Sequence, residues 1–250
     1  MFRRVAASIS LFTRIPVSQW VNLTPADYRQ TAAVYPVVGW IVGGLSALAF
    51  YTLDLIFTQP VTVALTMVFS VLLTGGLQEG GLAFFFDNLS GRNGRRIYNN
   101  NNKYDKYIGI QGVLGVTLSL LLQFALLQEL SPALVPWLIV AGDSFSRFLA
   151  ITLIDTNHYL RPKSGHDGTP VFKNLGVEGW FVAAILGITP LFLFLQPKIW
   201  CALIPVIIIR IFLGIFFKKV KGEINFEECM ATQQFSVITF YLGVSAIPNI

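Results

Sequence analysis

Charge is what this chain has least of. Of its 250 residues only 12% are Asp, Glu, Lys or Arg, about half the share carried by a soluble globular chain. Histidine occurs twice, at His158 and His166, and cysteine twice, at Cys201 and Cys229. Two cysteines are too few for a disulfide framework, and two histidines without a cysteine cluster speak against a structural zinc site. The alternating ten-residue strands of a membrane barrel are missing as well. The opening MFRRVAASISLFTRIPV has a basic start, but its apolar stretch is short, is broken by Arg14 and lacks a clean small-residue cleavage site. It reads as a retained interfacial segment rather than a cleaved signal.

What is abundant is apolar: 54% of residues are hydrophobic and the mean hydropathy is +0.63. These residues come in blocks long enough to cross a bilayer, which takes about 20 apolar residues. The blocks are 32–57, 60–77, 112–130, 133–154, 178–195, 198–217 and 234–249. Backbone groups in hydrocarbon must be satisfied internally, so each block predicts a helix. The expected fold class is all-α: a polytopic integral membrane helix bundle of about seven transmembrane helices and three long cytoplasmic loops. Residues 1–250 form a single membrane domain on this reading.

Three connections are short and carry Pro60, Pro132 or Pro197, so they predict helix hairpins. The long connections are 78–111, 155–177 and 218–233. All basic residues except Arg147, Lys198 and Arg210 fall on the N-terminal segment or on these three connections. Alternation through seven spans puts them on one side, and positive charge stays cytoplasmic. The N-terminus and the long loops are therefore expected inside, the C-terminus outside. The net charge of +5 then needs no nucleic acid; it suits contact with anionic lipid or capture of phosphate-bearing substrates.

The first long connection mixes Glu79, Asp87 and Asp105 with Arg92, Arg95, Arg96, Lys103 and Lys106. Acids beside arginines suit a metal–phosphate site, because magnesium takes one or two carboxylates, waters and phosphate oxygens. Gly75, Gly76, Gly80 and Gly81 would let backbone approach a ligand closely. A solvated loop with incidental charges is the competing reading. Asp143 and Arg147 stand i, i+4 in the fourth block and share a helix face. Charges at that depth usually face the bundle interior, as a structural ion pair or as the wall of a polar cavity; Arg210 snorkels or reaches the same cavity. Gln233 and Gln234 give the last block an unusually polar start. In 155–177, Asp155, His158, Arg161, His166 and Asp167 match no metal spacing.

Landmarks then follow in one order: LFTRIPV (11–17), YPVVGWIVGG (35–44), TGGLQEGGLA (74–83), DKYIGIQG (105–112), SRFLA (146–150), HYLR (158–161) and KKVKGEINFEECMATQQ (218–234). Together they resemble the cobalamin synthase family of adenosylcobinamide-GDP ribazoletransferases over nearly the whole chain. The resemblance implies a multi-pass enzyme of a bacterial or archaeal cytoplasmic membrane. Such an enzyme joins adenosylcobinamide-GDP to α-ribazole or its 5′-phosphate, releases GMP, and uses magnesium. It also implies a metal set at Asp87, Asp105, Glu227 and Glu79, and substrate contacts at Gly75, Gly76, Gln78, Arg95, Lys106, Arg147 and Asn225.

The chain departs from the family pattern at several of these positions. Where the family motif runs T-G-G-x-H-x-D-G-x-A-D-x-x-D-G, this chain has Gln78 for the histidine, and Gly80 and Phe84 for two aspartates. Asp87 is retained and Asn88 follows it in place of glycine. Tyr107 stands at an arginine position. Asn225, Phe226 and Glu227 stand at the family's T-G-D. Two alternatives stay open: a weakened or inactive relative that keeps the fold to bind or scaffold, and a small-solute transporter using Asp143, Arg147 and Arg210. An oligomer is allowed but not required, and no general base is named.

Overall fold

The structure is a computed structural model that describes residues 1–89, 97–98, 104–105, 108–156, 175–193, 197–221 and 224–247. Ten α-helices are described: α1 (Phe2–Phe12), α2 (Pro25–Arg29), α3 (Tyr35–Asp54), α4 (Gln59–Thr74), α5 (Leu77–Leu89), α6 (Ile110–Glu129), α7 (Val135–Thr156), α8 (Gly176–Ile188), α9 (Leu203–Lys221) and α10 (Phe226–Ser245). The only strand pairing among the described residues is a two-residue antiparallel ladder, Ile97–Tyr98 with Tyr104–Asp105. The all-α membrane bundle expected from the sequence is what the chain forms.

Helix length and composition do not reproduce the count of seven spans. Among the described residues four helical segments are long and apolar enough to cross a membrane: Ala32–Asp54, Ile110–Glu129, Val135–Ile154 and Lys198–Lys219. The bent pair α4 and α5 makes a fifth if taken as one span. The seven expected crossings are not reached on that criterion, for three reasons. The block at 60–77 is broken, with α5 turned 90° from α4. Gly75 and Gly76 make the break; both hold positive φ, 70° and 69°, a conformation that costs glycine nothing. The apolar helix beginning at α8 is short, Gly176–Phe192. Finally, the last block starts earlier than expected, as α10, and its polar residues Glu228, Thr232, Gln233 and Gln234 are all buried.

α3 and α7 form the axis of the bundle. They run antiparallel and come close because α3 presents Gly39 and Gly43, spaced i, i+4, to the α7 backbone. A Cβ on Gly39 would lie 2.5 Å from Ser144 Cα, and one on Gly43 would lie 2.8 Å from Val140 Cα. Small residues at this spacing are what allow membrane helices to approach, since lipid is as apolar as leucine and packing must supply the attraction. Most of α7 is buried, whereas α6 and α9 turn apolar rows outward. Leu118, Leu121 and Leu122 are exposed on the first, and Ile204, Ile208, Phe212 and Ile215 on the second. That is the pattern of a central helix ringed by lipid-facing ones.

The connections sort to the two ends of the bundle. At one end the Arg14 N–H donates to Leu73 O at 2.8 Å. There Gly81 of α5 packs on the Glu227 and Met230 turn of α10, and Gly179 of α8 lies beside Ala33. At the other end Gln59 Nε2 donates to Leu130 O at 2.7 Å, and Gly243 of α10 packs on Ala202. The long connections thus leave from one end and the short proline-bearing turns close the other. The N-terminal segment sits with the former. There α2 opens with a capping box, Asp27 Oδ2 accepting from Thr24 N–H at 2.8 Å and Thr24 Oγ1 at 2.6 Å. Arg3 pairs with the same carboxylate at 3.1 Å. The Thr24 hydroxyl is the main cause holding the Asp27 pKa below the usual carboxylate range, with the Thr24 amide and Arg3 adding to it.

The Gly39 contact sets a test. Gly39→Ala should lose about 1–3 kcal/mol of stability through overpacking, measured by thermal unfolding in detergent. Gly44→Ala on the same helix, where nothing lies within 4 Å of the added Cβ, should unfold at or above the wild-type midpoint.

Candidate functional site: a polar chamber beside a broken helix

The break at Gly75–Gly76 drops the start of α5 into the side of the bundle. Arg14 fills the outside of that turn: a Cβ on Gly75 would meet Arg14 Nε at 2.6 Å. On the inside, Gln78 and Glu79 face Asp143 and Arg147 of α7, Gln123 of α6, and Gln233 and Gln234 of α10 across a cavity of about 30 Å³. One water needs roughly 10–15 Å³ of such volume. The enclosed part therefore has room for two waters, far short of a nucleotide.

Arg147 is the largest fully buried side chain among the described residues. Its NH1 group donates to Asp143 Oδ1 at 3.0 Å and to the Asp143 carbonyl at 2.8 Å. Its guanidinium carbon stands 5.7 Å from the centre of the Tyr35 ring, within range of a cation–π attraction. The Tyr35 hydroxyl in turn donates to Gln233 Oε1. Gln234 Nε2 donates to Gln123 Oε1 at 3.2 Å. One connected polar core thus joins α3, α7 and α10, and a second bond ties α10 to α6. The two readings of Asp143 and Arg147 are both correct: they are an ion pair, and the pair walls a polar cavity. Arg210 does not line it; its Nε donates to Thr152 Oγ1 at 2.6 Å and ties α9 to α7.

Three buried atoms at the chamber have no partner among the described residues: Arg147 Nε, Gln78 Nε2 and Glu79 Oε2. Buried polar groups are satisfied in more than nine cases of ten, so this spot suits water or a small polar group with two donors and one acceptor to answer. Tyr35 and Gln123 were not among the residues singled out from the sequence. The signal was present in Gln123, the one amide in the run LSLLLQFALL, because a polar residue at membrane depth is expensive unless it faces inward.

The acids expected to hold magnesium fall on different elements. Glu79 lies at the chamber. Glu227 sits in the first turn of α10, half-buried. Asp87, near the end of α5, is 5% exposed, and its carboxylate accepts two backbone N–H bonds from the start of α6. Asp105 pairs with Ile97 in the short ladder, and its side chain, like Arg95 and Lys106, lies outside the described residues. Among the described residues no three Asp, Glu, His or Cys side chains stand close enough to share a metal ion. Asn225 caps α10: its N–H donates to Glu228 Oε2 at 2.8 Å, closing a capping box. Gly75 and Gly76 serve the turn, and open space surrounds Gly80.

Taken together, these features define a polytopic membrane protein built around a charged, polar interior, with its long connections gathered at one end. Within that class the chain belongs to the cobalamin-5-phosphate synthase family, whose model matches residues 4–245. It is 31% identical over 247 residues to the adenosylcobinamide-GDP ribazoletransferase of Shewanella frigidimarina, covering 96% of this chain and 93% of the relative. The enzyme of the same name from Shewanella pealeana is 31% identical over 240 residues, 94% of this chain and 92% of the relative. One from Shewanella sp. strain W3-18-1 is 29% identical over 251 residues, 97% and 94% respectively. No solved structure matches the chain.

Removing one member of the ion pair should be costly. Arg147→Ala leaves Asp143 buried and uncompensated, and should destabilise by about 3–5 kcal/mol, read as a lowered unfolding midpoint in detergent. Replacing both, as Asp143→Leu with Arg147→Met, should recover much of that loss.

Proposed function

We propose that this chain is an adenosylcobinamide-GDP ribazoletransferase: it joins adenosylcobinamide-GDP to α-ribazole or its 5′-phosphate and releases GMP. The observation that carries this reading is the family match across residues 4–245, with relatives of that name aligned over more than nine-tenths of both chains. In the reaction a hydroxyl of the ribazole attacks a phosphorus of the diphosphate, an O–P bond forms, and the bond to GMP breaks. Such a transfer depends on positioning and on positive charge around the phosphoryl oxygens. The N-terminal segment and the connections that leave from the same end of the bundle together carry 15 of the chain's 18 Lys and Arg, which suits them to grip the diphosphate. Lipid anionic headgroups would meet the same residues.

The acid-poor motif, with Gln78, Gly80 and Phe84 at family positions of other chemistry, favours a second reading in which the substrate binds without turnover. Purified protein in detergent, given both substrates with and without magnesium, should release GMP above a no-enzyme control. Binding of adenosylcobinamide-GDP with no GMP at any magnesium concentration would support the binding relative instead. Flux of a solute in proteoliposomes would support a transporter.

The same reading sets the orientation, with the basic end in the cytoplasm. The two native cysteines report on it. Cys201 is exposed beside the turn that closes the opposite end, and Cys229 is buried. A membrane-impermeant maleimide should label Cys201 in intact spheroplasts, and Cys201→Ser should abolish the signal. Labelling confined to inverted vesicles would place that end inside.

A further inference from the structure

The start of α6 presents a problem that its own sequence does not solve. Its N-cap residue is Gly109, which has no side chain to cap with, and its first turn holds no acid. The first N–H groups of a helix have no intrahelical partner, and here Gly112 is buried. The partner comes from another helix. Asp87 Oδ2 accepts from Gly109 N–H at 2.6 Å, and Asp87 Oδ1 accepts from Gly112 N–H at 2.7 Å.

We propose that Asp87 is the N-cap of α6 supplied in trans by α5, and not a metal ligand. Each carboxylate oxygen accepts a short charge-assisted bond from a backbone amide. The negative charge faces the positive end of the α6 dipole, where anions are favoured and cations are not. A divalent cation seated on the same carboxylate would face that positive end as well. The fit is also steric. A Cβ on Gly109 would stand 2.6 Å from Asp87 Oδ1, and one on Gly112 would stand 2.6 Å from Asp87 Oδ2. The two glycines are there to let the carboxylate reach the amides. Magnesium, which dehydrates reluctantly and holds several waters in an octahedron, has little space at a carboxylate 5% exposed and closed in by backbone. The cap also fixes the distance between the C-terminal end of α5 and the start of α6, and so anchors both ends of the first basic connection. This assignment is independent of the reaction proposed above.

Thermal unfolding in detergent with EDTA tests it, alongside Mn²⁺ binding followed by electron paramagnetic resonance. Asp87→Ala should lower the midpoint by about 4 °C or more, by the same amount in EDTA as in excess magnesium. Asp87→Asn, which keeps one acceptor oxygen, should lose less and should bind Mn²⁺ within twofold of wild type. Gly109→Ala should also destabilise, because its methyl group meets the carboxylate. In an Asp87→Ala background it should cost much less, a non-additivity expected only of groups in contact. A wild-type midpoint for Asp87→Ala in EDTA, or a tenfold loss of Mn²⁺ affinity in Asp87→Asn, overturns the assignment. If Asp87→Ala cannot be purified, Gly109→Ala alone decides the stability arm: a wild-type midpoint there overturns it too.

Discussion

A guanidinium enclosed by apolar helices must be neutralised where it sits, and much of this bundle is organised by that requirement. Arg147 cannot snorkel to an interface, because it is buried on the central helix. Its charge is met by Asp143 one turn away, its face by the Tyr35 ring, and Tyr35 is held by Gln233. The acid and the base lie on one helix, so the pair could exist in α7 alone. What the fold adds is enclosure: α3 and α10 close over the pair with an aromatic ring and an amide. The removal of one partner is far more costly than the removal of both for the same reason, since a lone buried charge has nowhere to go.

The same accounting applies to helix ends, which carry unpaired backbone groups wherever they fall. α4 ends on a left-handed glycine pair, and the chain bends back through α5 instead of emerging. α10 opens on a capping box made from its own residues, Asn225 and Glu228. α6 opens on a glycine and borrows Asp87. Each solution brings a polar group into the interior at a defined point. Together they place Gln78, Glu79 and the polar half of α10 around one small chamber, an arrangement that a bundle of seven straight apolar helices could not produce.

The departures from the family motif acquire physical content in this setting. Gly80 has open space around its Cβ position, so the aspartate expected there is not excluded by crowding. Phe85 and Phe86, next to the substituted Phe84, pack with Phe235 of α10, and Phe85 also meets Phe216 and Phe217 of α9. The second half of α5 is thus buttressed by aromatic rings on two sides.

Much of the fold was legible in the residues themselves. Hydrophobic block length gave helices in a membrane, because hydrocarbon leaves the backbone no alternative. The distribution of Lys and Arg grouped the long connections together, and the i, i+4 spacing joined Asp143 to Arg147. The number of straight crossings was not legible, because two adjacent glycines read equally as a flexible joint, a ligand contact or a right-angle break, and only the packing of α5 on α10 selects the last. Nor was the role of Asp87. A carboxylate is the same chemical object as a magnesium ligand or a helix cap; what reads it as a cap is a pair of amides, on Gly109 and Gly112, more than twenty residues away in the chain. Sequence by itself determined the solvent, the element type and every pairing within one helix, because these depend on local composition and spacing. Tertiary structure alone decided which buried groups face one another, because that is settled by contacts between helices distant along the chain.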